Sequence, residues 1–454
     1  MNATTAPRMG LGLGYRLSFM MFLQYAIWGA WLPFLYVFLS TDRQFQGYEI
    51  GWMFTAGGVG AILGPFIAGQ IADRWFNTER YLGLSHIAGA VIVWIMSMVQ
   101  NDPVEGGVGS GFWLFLSLSI AYSLIYAPTI ALTNSLAFHH MPDRDRDFGR
   151  VRLWGTLGWI AVGIGVGQLL LHYFTPAEAT EGEQLKEQAA GMVYAFRISA
   201  VIGLIMGLYC FTLPRTPPQK GQEEFAFAET LREVRKSPLV TLFLVAVPVS
   251  MIHQFYFIYT SPFLSGFQNK DEGFTGVVNS IFGVGGGGMM VLGQVTEIVV
   301  LFLIPFIAAK WSRKTLLCVG LLAYAARMFL FSQVDWLQGS LGIPSMVTLL
   351  AGVSLHGLCF GCFIFVAFMI VDEECTDDVK ATAQNLFNLV IVGIGTIVGS
   401  LFTTMLVGEW ATPAGEVAPD YGKLFLVPMY MAIGCLLLLL AFYPSRKELS
   451  ERSC

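Results

Sequence analysis

Twelve apolar segments, each of about the length that crosses a lipid bilayer as a helix, follow one another along the 454-residue chain. A membrane core offers no water to exposed backbone N–H and C=O groups, so long apolar runs span it as helices. The composition agrees, because 55% of the residues are hydrophobic and only 13% are charged. The sequence therefore predicts an all-α integral membrane protein. The predicted spans cover approximately residues 15–40, 48–72, 81–99, 110–138, 150–172, 191–213, 237–266, 286–309, 315–334, 343–371, 380–408 and 424–444.

One long polar connection, residues 214–236, opens with PRTPPQKGQEE and closes with REVRK. We expect it to be a cytoplasmic linker between an N-terminal six-helix half, 1–213, and a C-terminal six-helix half, 237–454. A faint repeat agrees, since IADRW at 71–75 follows the second span of one half and IAAKW at 307–311 follows that of the other. Two parallel halves of this kind are typical of one large class of membrane protein.

The eighth predicted span carries Glu297 near its middle, with Gln294 three residues earlier on the same helical face. A carboxylate at that depth is costly unless it faces the interior of a helix bundle or a wet cavity. Both side chains are therefore predicted to face a central cavity. The alternative is that Glu297 is a packing carboxylate paired to another helix.

Two further spans place polar and aromatic side chains on one face. Gln24 and Trp28 lie four residues apart in the first span, an arrangement suited to stacking a flat ring and hydrogen-bonding its edge. Arg152, Thr156 and Trp159 recur with helical spacing in the fifth span and form a candidate binding stripe. Helix packing for the tryptophans, and snorkelling of Arg152 to the inner surface, are the alternatives.

Other polar residues interrupt the seventh, ninth and tenth spans. Gln254 needs a partner if it is buried. His253 could titrate near neutral pH, or could form a hydrogen bond between helices. Arg327 in the ninth span requires a carbonyl or carboxylate, and the tenth span contains His356 and Phe360.

The sequence also argues against several classes of protein. The adjacent His139 and His140 have no further ligands at metal-binding spacing, so no metal or cofactor is predicted. No clustered nucleophile and base points to an enzyme, and no basic patch points to nucleic acid. The seven cysteines avoid the predicted outer segments, so no disulfide framework is expected.

At these residues the chain resembles the nucleoside:proton symporter family of the major facilitator superfamily, over nearly its whole length. The segments that carry the resemblance are FLQYAIWGAWL (22–32), IADRW (71–75), APTIALTNS (127–135), VRLWGTLGW (151–159), GQVTEIVVLFLIPF (293–306), AARMFLF (325–331) and ATAQNLF (381–387). The resemblance implies twelve helices in two six-helix halves, the major facilitator fold. It also implies proton-coupled uptake of nucleosides by alternating access at a site between the halves.

The resemblance further implies roles for particular residues. Asp73 and Arg74 match the superfamily's GxxxDR loop and are expected to act as gate elements. From its predicted burial rather than from the family, Glu297 is expected to bind a proton in one state and release it in another, and so to couple transport to protons. The aromatic residues are expected to hold the ring of the solute. The resemblance implies a substrate-binding set of Arg152, Thr156, Trp159, Gln254, Gln294 and Glu297. To this set we add Phe360 of the tenth span and, from their spacing in the first span, Gln24 and Trp28.

Two positions depart from the family pattern. Phe257 stands where the bacterial nucleoside transporters have Asn, and Gly361 stands where an Asp follows an aromatic residue. These departures leave open a same-fold transporter of another small polar solute, such as a sugar or a catabolite, with or without proton coupling.

The distribution of Lys and Arg favours cytoplasmic placement of both termini. For a transporter of the family that the chain resembles, the expected location is the inner membrane. A monomer is the expected state, because it is the default for this fold.

Overall fold

The structure, a computed structural model, describes residues 9–71, 77–217, 227–270, 273–376, 379–416 and 418–444, and contains only helices in these ranges. Ten of the helices are long and apolar enough to cross a membrane. Two more, of 25 and 19 residues, coincide with the second and third predicted spans. The predicted all-α membrane architecture is confirmed.

The twelve long helices are α1 (Leu11–Asp42), α2 (Gly47–Ile71), α3 (Thr78–Met96), α4 (Phe112–His140), α5 (Arg144–Tyr173), α6 (Glu181–Cys210), α7 (Leu239–Gln268), α8 (Gly287–Ala308), α9 (Arg313–Ser332), α10 (Ser345–Glu374), α11 (Thr382–Ala411) and α12 (Tyr421–Phe442). Short helices at Phe227–Val234, Thr275–Phe282 and Val334–Leu341 lie between them.

Several of the long helices change their winding inside the span. In α1 the chain tightens to a 3₁₀ turn at Leu32–Phe34, where Pro33 has no N–H to donate. A π-helical turn covers Cys359–Phe365 in α10, and two more occur in α11 at Leu389–Ile394 and Phe402–Gly408. π turns are frequent at functional sites, and the one in α10 contains Phe360.

The chain packs into two compact units. The first unit comprises residues 1–49, 59–221 and 268–291, so it holds α1, most of α2, α3 to α6, and the segment that leads into α8. The second unit comprises residues 50–58, 222–267 and 292–454, so it holds an inner stretch of α2, nearly all of α7, most of α8, and α9 to α12.

In the first unit, α1 lies along α5 and α6. Glycines allow the backbones to touch, because a Cβ atom on Gly158 would stand 2.1 Å from the carbonyl oxygen of Phe22. A Cβ on Gly29 would likewise stand 3.0 Å from Trp159 Cα. Helices in lipid associate through small residues at such crossings, because apolar side chains gain little by exchanging lipid contacts for protein contacts. The contact places Trp159 directly against α1.

The segment leading into α8 is fastened to α5 within the same unit. The Val284 N–H donates to the carbonyl of Gly167 at 3.1 Å. Gln268 donates to the carbonyl of Gly283 and accepts from the N–H of Gly286, both at 2.8 Å. Gly283 has φ +72° and ψ −164°, a conformation that is essentially restricted to glycine.

In the second unit, α9 packs against α10 and α12, and α10 crosses α8 closely. A Cβ on Gly357 would stand 2.4 Å from the backbone carbon of Thr296. At the start of α2, Gly51 lies against the side chain of Thr404 in α11. The crossing of α8 and α10 is therefore fixed by backbone contact, and it occurs next to Glu297.

Replacing Gly283 by Ala should lower the thermal unfolding midpoint of the detergent-purified protein by about 5 °C or more. The new Cβ would be strained at this φ and would stand 1.9 Å from the backbone carbon of Gly167. Intrinsic tryptophan fluorescence during heating provides the measurement.

The matched control is Gly276→Ala in the neighbouring helix Thr275–Phe282, where no heavy atom lies within 4 Å of the added Cβ. Its midpoint should stay the same or rise, because Ala favours a helix over Gly. Equal midpoints for the two variants would contradict the assignment of strain to Gly283.

Candidate functional site

In the first unit, Gln24 is fully buried and bonds across to α4. Its Nε2 donates to Thr129 Oγ1 at 2.8 Å, and its backbone carbonyl accepts a short hydrogen bond from the hydroxyl of Tyr126. Its Oε1 has no hydrogen-bond partner among the residues that the structure describes. A buried acceptor of this kind is able to receive a hydrogen bond from a solute or a water.

Aromatic rings surround this amide. The indole of Trp28 lies one turn along α1 and contacts Tyr126 at 6.0 Å and Trp159 at 5.8 Å between ring centroids, the second edge to face. Trp159 is held against α1 by the close approach at Gly29. Helices α1, α4 and α5 therefore bring together an amide and three aromatic rings.

Arg152 lies two turns before Trp159 on α5. Its guanidinium carbon is 4.0 Å from the ring centroid of Tyr25, a cation–π contact. Gly155 makes room for that ring, because a Cβ there would stand 2.6 Å from it. Thr156, like Arg152 and Trp159, is half-buried. The predicted stripe on α5 is thus anchored to α1 at both ends.

In the second unit, Gln254 is directed at α11. Its Nε2 donates to Thr396 Oγ1 at 3.3 Å, and its Oε1 accepts from Ser400 Oγ at 3.4 Å. Gly399 leaves the space that the Gln254 side chain occupies. The partner that a buried glutamine requires is therefore supplied by another helix of the same unit.

Glu297 faces a buried histidine. Its Oε2 lies 3.6 Å from Nε2 of His356, whose Nδ1 lies 3.1 Å from Nη1 of Arg327. Arg327 is completely buried, and its guanidinium carbon lies 4.1 Å from the ring centroid of Tyr256. An acid, an imidazole and a permanent cation from α8, α10 and α9 are thus arranged in a row.

A second histidine lies beside this row. His253 Nδ1 is 2.9 Å from the hydroxyl of Tyr324, and its ring lies 5.6 Å from that of His356. The ring of Phe257 covers His253 at 4.8 Å. The aromatic residue found where the family has Asn therefore packs on an imidazole.

The remaining predicted residues of this unit lie nearby. Gln294 is half-buried on α8, and its Oε1 has no hydrogen-bond partner in the described part of the chain. The Phe360 ring stands 6.5 Å from that of His356. Gly361 lies against Val300, since a Cβ at 361 would stand 2.5 Å from Val300 Cγ1. Val300 therefore fills the space that a side chain at position 361 would need.

The structure thus groups Gln24, Trp28 and Trp159 in one cluster, and Glu297 and Phe360 in another. The sequence analysis did not select Thr129, Tyr126 or Tyr25 for the first cluster, nor His356 and Arg327 for the second. The last two were visible as polar interruptions of apolar spans, but nothing local linked them to Glu297. Asp73 and Arg74 lie outside the described residues.

Within the described ranges, no three His, Cys, Asp or Glu side chains converge in a way that could hold a metal ion.

The chain is similar to known proteins over nearly its full length. The family profile described as "Nucleoside H+ symporter" matches residues 11–448. The chain is 31% identical over 392 residues to the putative nucleoside transporter YegT of Escherichia coli K12, covering 85% of this chain and 82% of that protein. It is 26% identical to the xanthosine permease of the same organism, covering 92% of each.

Solved structures agree on the fold. The crystal structure of the nucleoside transporter NupG matches with a TM-score of 0.77 at 22% identity, covering 95% of this chain and 99% of that one. The D-xylose–proton symporter matches with a TM-score of 0.67 at 14% identity, covering 95% and 98%. The fold is that of the major facilitator transporters, as the sequence predicted.

Restoring a side chain at position 361 should destabilise the protein. Gly361→Ala and Gly361→Asp both introduce a Cβ that overlaps the stiff Val300 side chain, at a cost of about 1–3 kcal/mol. Thermal unfolding should show lower midpoints for both variants, and Val300→Ala combined with Gly361→Ala should recover part of the loss.

The control is Gly434→Ala in α12, where nothing lies within 4 Å of the added Cβ. Strict additivity of Val300→Ala and Gly361→Ala in a double-mutant cycle would show that the two positions do not interact.

Proposed function

The chain belongs to the nucleoside H⁺ symporter family, and from that premise we propose that it imports nucleosides by proton-coupled alternating access, with Glu297 as the proton-binding residue. It is a secondary active transporter of the bacterial membrane and not an enzyme. The solutes named for its relatives, nucleosides and xanthosine among them, define the class of substrate to test first.

The observation that carries the proton-coupling role is the position of Glu297. This carboxylate lies within an apolar helix, only 20% of its side chain is exposed, and it stands beside His356. An ionisable group so placed is expensive to keep charged, so binding and releasing a proton there is linked to conformation. Intramembrane carboxylates of this kind mark proton pathways in transporters.

Recognition of the nucleobase is proposed for the first-unit cluster. Trp28 and Trp159 present flat rings suited to stacking, and the free oxygen of Gln24 can accept a hydrogen bond from the edge of a base. Arg152 and Thr156 offer donors to the polar parts of the solute. Gln294, with an unpaired buried oxygen, is proposed to serve the same purpose in the second unit.

Three further proposals concern organisation. We propose an inner-membrane location with both termini in the cytoplasm, from the distribution of Lys and Arg, and a monomer as the working unit. The division into six-helix halves, 1–213 and 237–454, with residues 214–236 as a cytoplasmic linker, is the third. The gating roles of Asp73 and Arg74, and substrate contacts by Gln254 and Phe360, remain proposals from the family resemblance.

One observation favours a second candidate function. Phe257 packs at a tilt against His253 and Gly361 abuts Val300, so neither position presents the polar side chain of the family pattern. Such a site favours a small polar solute other than a nucleoside, or uptake without proton coupling. A thermal-shift screen separates the candidates, because stabilisation by sugars or catabolites but not by nucleosides supports the second.

Proteoliposomes containing the wild-type protein should accumulate labelled uridine, adenosine or xanthosine when an inward proton gradient is imposed. A protonophore should abolish the accumulation. Glu297→Gln should bind the nucleoside but accumulate none above the level of empty liposomes, because the amide cannot carry a proton at physiological pH.

Glu409→Gln, an exposed carboxylate near the end of α11, is the matched control and should accumulate normally. Concentrative uptake by Glu297→Gln would exclude Glu297 as the coupling residue. Gradient-independent equilibration by the wild type would indicate facilitated diffusion instead.

Arg152→Lys should raise the KM for nucleoside uptake by about tenfold with little change in the maximal rate. Lys keeps the charge but loses the planar guanidinium that stacks on Tyr25, so the donors lose their fixed orientation. Initial uptake rates over a range of nucleoside concentrations measure both quantities.

Arg197→Lys provides the control, since Arg197 lies 5.3 Å from the ring centroid of Tyr194 on α6, away from the cluster. An unchanged KM for Arg152→Lys would remove Arg152 from the proposed site.

A further inference from the structure

Three helices of the second unit place Glu297, His356 and Arg327 in contact, and the contact has a defined direction. A guanidinium only donates hydrogen bonds, so the 3.1 Å contact from Arg327 Nη1 requires Nδ1 of His356 to be the acceptor. The ring proton of a neutral His356 then resides on Nε2. This nitrogen is the one that faces Glu297 Oε2, at 3.6 Å.

The backbone holds this arrangement in register. A Cβ on Gly293 would stand 3.0 Å from His356 Cβ, and a Cβ on Gly357 would stand 2.7 Å from the backbone nitrogen of Glu297. The N–H of Gly357 also donates to Thr296 Oγ1 at 3.3 Å. Two glycines therefore let α8 and α10 approach closely enough for the imidazole to reach the carboxylate.

The positive charge of Arg327 has few groups near it that could compensate it. Its side chain is completely buried, and among the described residues no carboxylate oxygen lies within 4 Å of it. Tyr256 of α7 and Tyr324 of α9 cover it at 4.1 and 5.1 Å, contacts that stabilise a cation without neutralising it. A permanent buried charge needs compensation, and the row through His356 leads to an acid.

Among the residues that the structure describes, further titratable groups that face this row come from α7, α9 and α10. They are His253, Tyr256, Tyr324 and Cys359. All four are neutral in their ordinary states near pH 7, so Arg327 is the one fixed positive charge of this group of side chains.

We propose that Arg327 and His356 are positioning residues for proton coupling: Arg327 holds His356 as the Nε2–H tautomer, and together they set the pH at which Glu297 binds and releases its proton. The inference rests on the proposed role of Glu297 and deepens it. Glu297 alone gains and loses the proton, while His356 stays neutral and Arg327 stays charged. The row of Glu297, His356 and Arg327 thereby supplies polar groups in the second unit, where Gly361 has no side chain to supply one.

The test is an infrared titration of the purified full-length protein, which follows the carbonyl band of protonated carboxyl groups as the pH is raised. The part of the band that Glu297→Gln removes belongs to Glu297. Arg327→Met removes the charge, and His356→Phe keeps a ring stacked on Tyr256 but removes both nitrogens. Each should move the midpoint of the Glu297 band to higher pH by about one unit, because the ionised carboxylate loses a favourable neighbour.

Two variants serve as controls. Arg327→Lys retains the positive charge and should leave the midpoint nearer that of the wild type than Arg327→Met does. His86→Phe replaces a buried histidine of the first unit, and should not move the midpoint. If Arg327→Met fails to fold, His356→Phe against His86→Phe decides the question.

Midpoints equal to the wild type in both Arg327→Met and His356→Phe would overturn the proposal. The pH profile of gradient-driven uptake should shift in the same direction as the infrared midpoint. If the variants shift the infrared midpoint as expected but the wild type shows no gradient-driven uptake, the proposed function is refuted and the positioning role stands. A normal wild-type uptake with unshifted variants would refute only the positioning role.

Discussion

A membrane interior offers no water for hydrogen bonds, and this constraint shapes the pairing of the buried polar side chains in α1 to α12. The buried amide of Gln24 finds Thr129 on another helix, and the amide of Gln254 finds Thr396 and Ser400. Arg327 finds an imidazole and two aromatic faces. Because the partner of each group lies on a different helix, the same bonds that remove a desolvation penalty also define how the helices of a unit fit together.

Close backbone contact makes these bonds possible. Lipid chains are as apolar as leucine, so helices gain little from burying leucine against each other and associate through small residues instead. Gly29 and Gly158 bring α5 onto α1, and Gly293 and Gly357 bring α10 onto α8. In each case a side chain of a proposed site lies at the contact: Trp159 in the first unit and His356 in the second. Glycine placement thereby positions the groups to which the proposals assign chemistry.

Family membership accounts for the fold and the class of transport, whereas the local departures concern individual positions of the proposed site. The fold and the class of transport follow from a match that extends from residue 11 to residue 448. At two positions the polar residues of the family are absent, and the structure shows what occupies their surroundings, an imidazole under Phe257 and Val300 beside Gly361. The buried row of Arg327, His356 and Glu297 provides polar groups in the second unit although positions 257 and 361 do not.

The sequence by itself determined the helices and their approximate ends, because hydropathy along a span is a local property that twenty residues suffice to express. It also singled out Glu297, Gln24 and the stripe on α5, since a polar group in an apolar run is conspicuous wherever it lies. Which polar side chains pair with one another was decided only by the tertiary structure. The pairing of Glu297 with His356 and Arg327 depends on how three helices cross, and a helix crossing is set by contacts between residues distant in sequence. No property of one span records which face of another span it will meet.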